Sequence, residues 1–345
     1  MLLDLIHDGL AVAAQGPWAG YALASPGAAE LAACLLALGL LLAPAGVPLR
    51  WVAVPLLVLP WLPRAPLLEP GEYALHVLDV GQGLSTVVET RRHTLVFDTG
   101  PEFPSGFSTS RAVLVPFLNR QGRSRIDRLV LSHGDSDHAG DVRHLIESLD
   151  VRQIQSGEPP RVGFGALPCT AGERWRWDGV LFEFLHPARG TQRMGNNASC
   201  VLRIQIDAGI ALLTGYIEAS VERRLVALHG DRLSSNLVLA PHHGSRSSSS
   251  QALVEATRPE FVVYTAGWAN RYGFPAPSVE RRWRRFGAIP LSTAQLGTIS
   301  FYMSSDDGIV GPSAYRHEAR RYWWHDSGSA MPSHAVSSAD RSQRE

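Results

Sequence analysis

One loop of the chain carries four potential metal ligands within six residues, directly after an apolar segment. The ligands are His133, Asp135, Asp137 and His138, and residues 129–131 form the apolar segment. A helix would distribute these side chains around its circumference, whereas a loop that leaves a strand end can direct them toward one point. An isolated His-Asp pair is usually a surface ion pair. Four such residues in this order predict a site for a divalent ion such as zinc or manganese.

The composition is that of a folded chain without an overall electrostatic preference. Its 345 residues are 45% hydrophobic and 19% charged, which suffices for one large domain or two ordinary ones. The formal net charge is zero, so attraction to nucleic acid would have to come from a local basic cluster. Residues 281–285 contain four arginines. We interpret them as the solvated face of a helix, with contact to a DNA backbone as the alternative.

The first 68 residues differ from the rest of the chain because they contain two nearly uninterrupted apolar runs. The runs cover residues 31–45 and 51–62. A bilayer crossing needs about 20 helical residues, and the first run reaches that length when residues 27–47 are counted. No basic segment precedes it, which argues against a signal peptide. Residues 1–68 are therefore predicted to form a helical, membrane-spanning hairpin, with two buried helices of a soluble domain as the alternative.

The remainder of the chain alternates short apolar strands with helical patterns. Predicted strands cover residues 73–80, 84–89, 94–97, 128–131, 180–185, 200–206, 210–213, 237–239, 261–264 and 298–303. Predicted helices cover residues 110–120, 140–149, 217–228, 249–256 and 277–286. This order predicts an α/β fold with two sheets sandwiched between helices over residues 69–310. The polar residues 311–345 are predicted to form a C-terminal tail that is partly disordered.

Further polar loops adjoin these strands and offer groups that complement the metal loop. His242 and His243 directly follow the strand at residues 237–239, and Asn197 precedes the strand at 200–206. The Asn197 amide is suited to orient a ligand or to bind substrate. Loops at one edge of a sandwich can assemble a site from distant parts of the sequence, so we expect these residues to meet.

Several short motifs occur together in a fixed order. They are Leu-Asp-Val-Gly-Gln-Gly at residues 78–83, Asp-Thr-Gly at 98–100, the metal loop at 132–140, Asn-Asn-Ala-Ser at 196–199, Thr-Gly at 214–215 and His-His-Gly-Ser at 242–245. This series resembles the metallo-β-lactamase-type domain at the C-terminus of the ComEC family of DNA-internalisation competence proteins. The resemblance covers roughly residues 70–305, and residues 1–68 resemble the end of the family's membrane region. The larger channel region of full-length members has no counterpart in the chain.

The resemblance implies a four-layer αββα sandwich, preceded by an N-terminal helical membrane segment, and a metal-dependent phosphodiesterase that degrades the DNA strand that is not imported. It assigns His133 and Asp135 to one metal, Asp137, His138 and His242 to a second, and catalytic roles to Asp137, His243 and Asn197. Two neighbouring cations can activate a bridging water and stabilise both oxygens of a displacement at phosphorus. Asp135 stands where many superfamily members carry histidine, which favours manganese over zinc.

Two departures from the family pattern concern the second metal. Tyr216 stands where the family has a bridging aspartate, and Phe274 stands where it has histidine before Pro275. Tyrosine, with a pKa of about 10, is a reluctant ligand, and its ring would occupy the volume of the second ion. We therefore expect weakened or single-metal occupancy. A catalytically silent remnant and a small-molecule metallo-hydrolase are the alternatives.

The resemblance also implies partners and a location. The expected partners are single-stranded DNA as substrate, the membrane, and a separate channel subunit or other competence proteins. The expected location is the inner cell membrane with several crossings, and the side that holds the hydrolase domain stays open because Arg50 and Arg64 flank too short a hairpin. For Cys169 and Cys200, a disulfide and two buried thiols both stay open.

Overall fold

The computed structural model describes residues 7–9, 12, 27–44, 46–61, 68–190 and 194–319. The chain divides into two compact units. The first comprises Met1–Ala65 and Pro116–Ser124, and the second comprises Pro66–Val115 and Arg125–Glu345. The predicted domain boundaries at residues 68 and 310 stay a prediction.

The N-terminal segment of the first unit is helical in its described part. The helix Ala28–Leu42 is followed by the 3-10 turn Arg50–Val52, the helix Ala53–Val58 and the 3-10 turn Leu59–Trp61. Most leucines of the first helix are exposed, Leu35 by 71%. None of the helices that the structure describes has both the length and the apolar character that a bilayer crossing requires. The membrane-spanning hairpin predicted for residues 1–68, part of which lies outside the described residues, is thus unconfirmed.

The second unit contains two large mixed sheets in its described residues. The strands of the first half are β1 Tyr73–Val77, β2 Ser85–Glu89, β3 Thr94–Thr99, β4 Arg125–Ile126, β5 Arg128–Leu131, β6 Asp150–Val151, β7 Ile154–Ser156 and β8 Leu167–Pro168. The later strands are β9 Arg174–Trp177, β10 Val180–His186, β11 Val201–Ile206, β12 Gly209–Leu213, β13 Leu237–Leu239, β14 Phe261–Tyr264, β15 Ile289–Ser292, β16 Ile299–Ser304 and β17 Gly308–Ala314. The first sheet has the order β17-β16-β1-β2-β3-β5-β7-β8, and the second has the order β15-β14-β13-β12-β11-β10-β9.

The predicted α/β sandwich is confirmed, and its core is the apolar layer between the sheets. Phe97 of the first sheet and Phe182 and Phe184 of the second are fully buried in this layer. Within each sheet, a parallel half adjoins an antiparallel half: β3, β5, β7 and β8 are parallel, as are β12 to β15. Parallel neighbours end at the same edge, which brings their following loops together.

Helices cover the outer face of the second sheet. They are Ala219–His229, Gln251–Thr257 and Pro277–Arg285. The last begins with Pro277 in the first turn, where its missing N–H has no cost, and buries Val279 and Trp283. Its arginines lie on the more exposed faces, as the sequence predicted. The serine run before Gln251 caps the helix that follows, because the Ser250 hydroxyl accepts a hydrogen bond from the Leu253 N–H.

Some predicted boundaries are wrong for local reasons. The predicted helix 140–149 begins only at Val142, because Asp141 has a left-handed φ of 50°. The predicted helix 110–120 is a π-helical turn, Ser110–Leu114, followed by the helix Val115–Arg120. Strand β17 pairs with β16 and is followed by the short helix Tyr315–Glu318, while the predicted domain boundary at residue 310 stays a prediction. Residues 320–345 of the predicted tail lie outside the described residues.

Cys169 and Cys200 form a disulfide, which settles the alternative that the sequence left open. Cys169 directly follows β8 of the first sheet, and Cys200 directly precedes β11 of the second. Both belong to the core between the sheets. The bond therefore links the edge of one sheet to the other sheet.

Replacement of Trp283 should show how much the outer helix layer contributes to stability. Its side chain is fully buried, so we expect Trp283→Ala to lower the free energy of unfolding by about 3–5 kcal/mol through lost burial and a cavity. Denaturant unfolding followed by circular dichroism measures this. Arg285→Ala, an exposed change on the same helix, is the control and should stay within about 0.5 kcal/mol. Equal effects of the two changes would contradict the packing that we describe.

Candidate metal centre

The site lies where strand ends of both sheets meet. Asp98 lies at the end of β3, His133 follows β5, Tyr216 follows β12, His243 follows β13 and Thr265 follows β14. Each of these strands is apolar and buried up to its last residues, so the polar side chains begin where the core ends. Side chains from distant parts of the sequence, among them His133 and His243, therefore lie near one another at this edge of the sandwich.

Three potential ligands lie close together. Ligand atoms of Asp137, His138 and His243 all lie within 4.8 Å of one another. The ring of His133 is 4.3 Å from that of His138 between centroids. The Nε2 atoms of His133 and His138 are buried and make no hydrogen bond within the described part of the chain. They face carboxylate oxygens of Asp135 at 3.3 Å and Asp137 at 3.8 Å, respectively.

Such an arrangement fits a divalent ion. Buried polar atoms are nearly always hydrogen-bonded, so two adjacent imidazole nitrogens that face carboxylates without a hydrogen bond require an explanation. A metal ion would satisfy both nitrogens, and nearby carboxylates would balance its charge. The residues present therefore suit a metal, and the individual ligand assignments stay predictions.

Groups behind the cluster orient the imidazole rings. His138 Nδ1 lies 2.6 Å from Asp98 Oδ2, and His243 Nδ1 lies 2.9 Å from the Thr265 hydroxyl. Asp98 also accepts hydrogen bonds from the Ser132 N–H at 2.6 Å and the Ser132 hydroxyl at 2.8 Å. Bonds at Nδ1 leave Nε2 of each ring to point into the cluster, which is the usual support of metal-binding histidines. The sequence analysis did not assign Asp98 or Thr265 to the site, although the Asp-Thr-Gly motif after a strand was a signal.

The ionisation states of the histidines and of Asp137 suit the binding of a cation. Burial lowers the pKa of His138, His242 and His243 to about 4, so the rings are neutral at pH 7 and their lone pairs are free. Burial opposes ionisation of Asp137, but His243 and His138 beside it, with the Tyr216 hydroxyl, hold its pKa well below the ordinary value. Burial raises the pKa of Asp98 to about 8, and a bound cation would lower it.

Tyr216 occupies the centre of the cluster. Its ring centroid is 4.0 Å from that of His138 and 4.8 Å from those of His133 and His243. Its hydroxyl donates a hydrogen bond to Asp137 Oδ2 and contacts His243 Nε2. Burial, together with the charge of Asp137, raises the pKa of Tyr216 above its ordinary value, so the phenol is neutral. The expectation that this ring displaces a second ion stays a prediction.

The two adjacent histidines lie in different places relative to the close group, and their predicted roles stay predictions. His243, predicted as catalytic, belongs to the close group, whereas His242, predicted as a ligand, lies outside it and stacks on Tyr216 at 4.4 Å. The backbone explains the difference. Both residues have positive φ, 50° for His242 and 53° for His243, so the chain does not alternate as a strand would. Strained residues of this kind concentrate at functional sites.

Two other predicted residues make specific pairs of their own. The Asn197 amide donates to Glu218 Oε2 and accepts from the Glu218 N–H, both at 3.1 Å. Asn197 is therefore engaged in holding a loop, and its predicted catalytic role stays untested. Asp135 pairs with Arg161 at 2.7 Å in addition to facing His133. The guanidinium would compete with a metal for this carboxylate.

Glu158 connects two loops of the site. Its buried carboxylate accepts hydrogen bonds from the Gly134 N–H at 2.9 Å and the Gly195 N–H at 2.8 Å, and it pairs with Arg161 at 3.4 Å. Gly134 belongs to the metal loop and Gly195 to the loop of Asn197. The sequence analysis missed Glu158, because nothing local distinguishes it from a surface glutamate.

Comparisons with known proteins identify the family of the chain. The family model described as "Metallo-beta-lactamase superfamily" matches residues 78–267. Competence protein ComA of Neisseria gonorrhoeae is 38% identical over 287 residues, which cover 83% of this chain and 40% of that protein. Recombination protein 2 of Haemophilus influenzae is 31% identical over 230 residues, which cover 66% of this chain and 28% of that protein. These homologues bear out the resemblance to ComEC-type competence proteins, and the chain spans less than half of their length.

A solved structure was also compared with the chain. The metallo-beta-lactamase fold protein YhfI from Bacillus subtilis aligns with 67% of this chain and 99% of its own, at 10% identity and a TM-score of 0.43.

Metal retention should be unusually resistant to acid. The folded-state pKa of His138 and His243, about 4, lies below the ordinary value of about 6.5, so the neutral ligating form persists until the pH falls through about 4. We expect the full chain, loaded with manganese or zinc and dialysed at falling pH, to keep its metal at pH values of about 5. Elemental analysis of the dialysed protein measures this. Loss of half the metal near pH 6.5, about the ordinary histidine pKa, would contradict the burial-based reasoning.

Proposed function

The chain belongs to the metallo-beta-lactamase superfamily, and from this premise we propose that it is a metal-dependent phosphodiesterase that acts on DNA. The observation that carries the proposal is the group of Asp137, His138 and His243, with His133 beside it and two buried Nε2 atoms that lack a hydrogen bond within the described residues. His133, His138, His243 and Asp137 would hold the ion. A divalent ion there would lower the pKa of a bound water and neutralise charge on a phosphate.

Side chains of the protein supply the proton transfer and the orientation of the ligands. Asp137 is ionised and less buried than the histidines, so its carboxylate can accept a proton from the attacking water. Asp98 and Thr265 hold the rings of His138 and His243 in one orientation, which keeps the donor atoms in place. The hydrogen bond from Tyr216 stabilises the ionised form of Asp137 and makes it a weaker base.

A catalytically silent domain is the second candidate, and Tyr216 is the observation that favours it. The ring lies among four imidazoles and leaves its neutral hydroxyl on Asp137. We propose that the site takes one ion rather than two, and in this second candidate that single ion supports no hydrolysis.

The substrate and surroundings follow from the names of the relatives and are part of the proposal. Proteins named for competence and recombination are homologous to the chain, so we propose that the substrate is the DNA strand that is not imported. We also propose attachment to the inner membrane through residues 1–68, and association with a separate channel subunit or with other competence proteins.

Cleavage of single-stranded DNA tests the catalytic proposal. We expect the full chain with manganese to cleave a labelled oligonucleotide, and we expect His133→Ala to reduce the rate at least about 100-fold, because lost metal support commonly costs that much. Gel analysis of the products over time measures the rate. His144→Ala is the matched control, since this half-buried histidine lies on the helix Val142–Ser148, outside the cluster, and its replacement should leave the rate unchanged. Absence of cleavage with manganese and with zinc would refute the catalytic proposal.

Replacement of Tyr216 tests the proposed single-ion occupancy. Tyr216→Asp removes the ring and supplies a carboxylate, so the bound metal should rise from about one to about two equivalents. Tyr216→Phe keeps the ring and should stay near one equivalent. Elemental analysis of the purified proteins after removal of free metal gives these values independently of activity. Two equivalents in the unaltered chain would show that the ring does not exclude the second ion.

A further inference from the structure

We infer that the loop of residues 267–275 is a stacking platform for bases of single-stranded DNA beside the metal centre, an inference that rests on the proposed function. Two large aromatic side chains of this loop lie in solvent. Trp268 is 76% exposed and Tyr272 is 53% exposed. Exposed aromatic rings on one short loop are typical of binding surfaces, and every nucleobase has a face that can stack on them.

The platform is continuous with the metal centre through ring contacts. Tyr272 stacks on Phe274 with centroids 5.5 Å apart and an interplanar angle of 19°. Phe274 in turn lies 5.9 Å from His242 and 6.4 Å from His243. Bases held on the outer rings would therefore keep the connecting backbone close to the metal cluster.

A cation accompanies the exposed rings. The Arg271 guanidinium lies 4.9 Å from the centre of the Tyr272 ring, and its Nη2 donates a hydrogen bond to the Tyr272 hydroxyl at 2.7 Å. Arginine beside an aromatic ring can contact a phosphate while the ring contacts the base. The pair thus offers a phosphate contact and a base contact, the two interactions by which proteins hold a single strand.

The loop is held in its conformation before any ligand binds. The Asn270 amide donates to the carbonyls of Gly267 at 3.0 Å and Phe274 at 2.7 Å, and its oxygen accepts from the Phe274 N–H at 2.9 Å. The Gly267 N–H also donates to Gln82 Oε1 at 3.2 Å, which ties the loop to the first half of the chain. A loop that is already ordered loses little conformational entropy on binding.

A cavity beside the platform suits an uncharged base. It has a volume of about 530 Å³ and is lined by Trp268, Phe274 and Gln295, among others. The two charged residues in its described wall, Glu280 and Arg284, pair with each other at 2.8 Å. This volume lies within the usual range of small-ligand pockets, about 300–1,000 Å³, and walls whose charges are paired favour a base over a phosphate.

A comparison of two oligonucleotides tests the platform separately from cleavage. One is a short oligothymidylate and the other an abasic strand of the same length and charge, both with cleavage-resistant phosphorothioate linkages. Fluorescence anisotropy with the full chain gives the two dissociation constants. We expect oligothymidylate to bind at least about tenfold more tightly, because stacking of one or more bases contributes that much. Trp268→Ala and Tyr272→Ala should each move the ratio toward one.

Two controls separate stacking from unfolding or general damage. Tyr272→Phe keeps the ring and should preserve the ratio, as should Phe164→Ala, which removes another exposed ring that lies against Arg143. A ratio near one in the unaltered chain, or a ratio unaffected by both alanine changes, would overturn the inference. Base-dependent binding by a chain that cleaves no DNA would refute the proposed function and support the platform. Cleavage of DNA by a chain whose binding does not depend on the bases would support the proposed function and refute the platform.

Discussion

The site depends on one buried carboxylate that joins the ends of two neighbouring parallel strands. Asp98 ends β3, receives hydrogen bonds from the backbone and hydroxyl of Ser132 after β5, and bonds to His138 Nδ1. Because Asp98 is fully buried, these bonds form in a medium of low dielectric, where they are strong and where their absence would be costly. The same group thus fixes the relative position of two strand ends and the direction of an imidazole. Its positive φ of 61° marks backbone strain at that point.

Tyr216 gives this centre its particular character. A carboxylate at that position would add a negative charge to the cluster, whereas the phenol adds a bulky ring and donates one hydrogen bond. The phenol places its hydroxyl between Asp137 and His243 and its ring against His138. The tyrosine hydroxyl therefore contacts two groups, Asp137 and His243, that would otherwise be available to bind a cation. Exchange of a carboxylate for a phenol at this one position can therefore change the net charge of the site while the fold and the other potential ligands stay the same.

The sequence predicted those parts of the site that are close together along the chain. The metal loop and the histidine pair were recognisable because each lies directly after a short apolar strand. Asp98 and Thr265 were not assigned, because their contribution is a hydrogen bond to a segment far away in sequence. The sequence also could not tell which of two adjacent histidines enters the cluster, since that depends on two consecutive residues with positive φ. Most strands were predictable from the apolar pattern, whereas two-residue strands such as Leu167–Pro168 carry too few residues to show one.

The Glu158 bridge has a consequence for how the site can open. One carboxylate holds the backbone of the metal loop through Gly134 and the backbone of the asparagine loop through Gly195. If either loop moved away alone, the buried Glu158 side chain would lose one of its hydrogen bonds, which is costly. The two loops are therefore mechanically linked and should fluctuate together rather than separately. A ligand that orders one of these two loops would therefore also order the other.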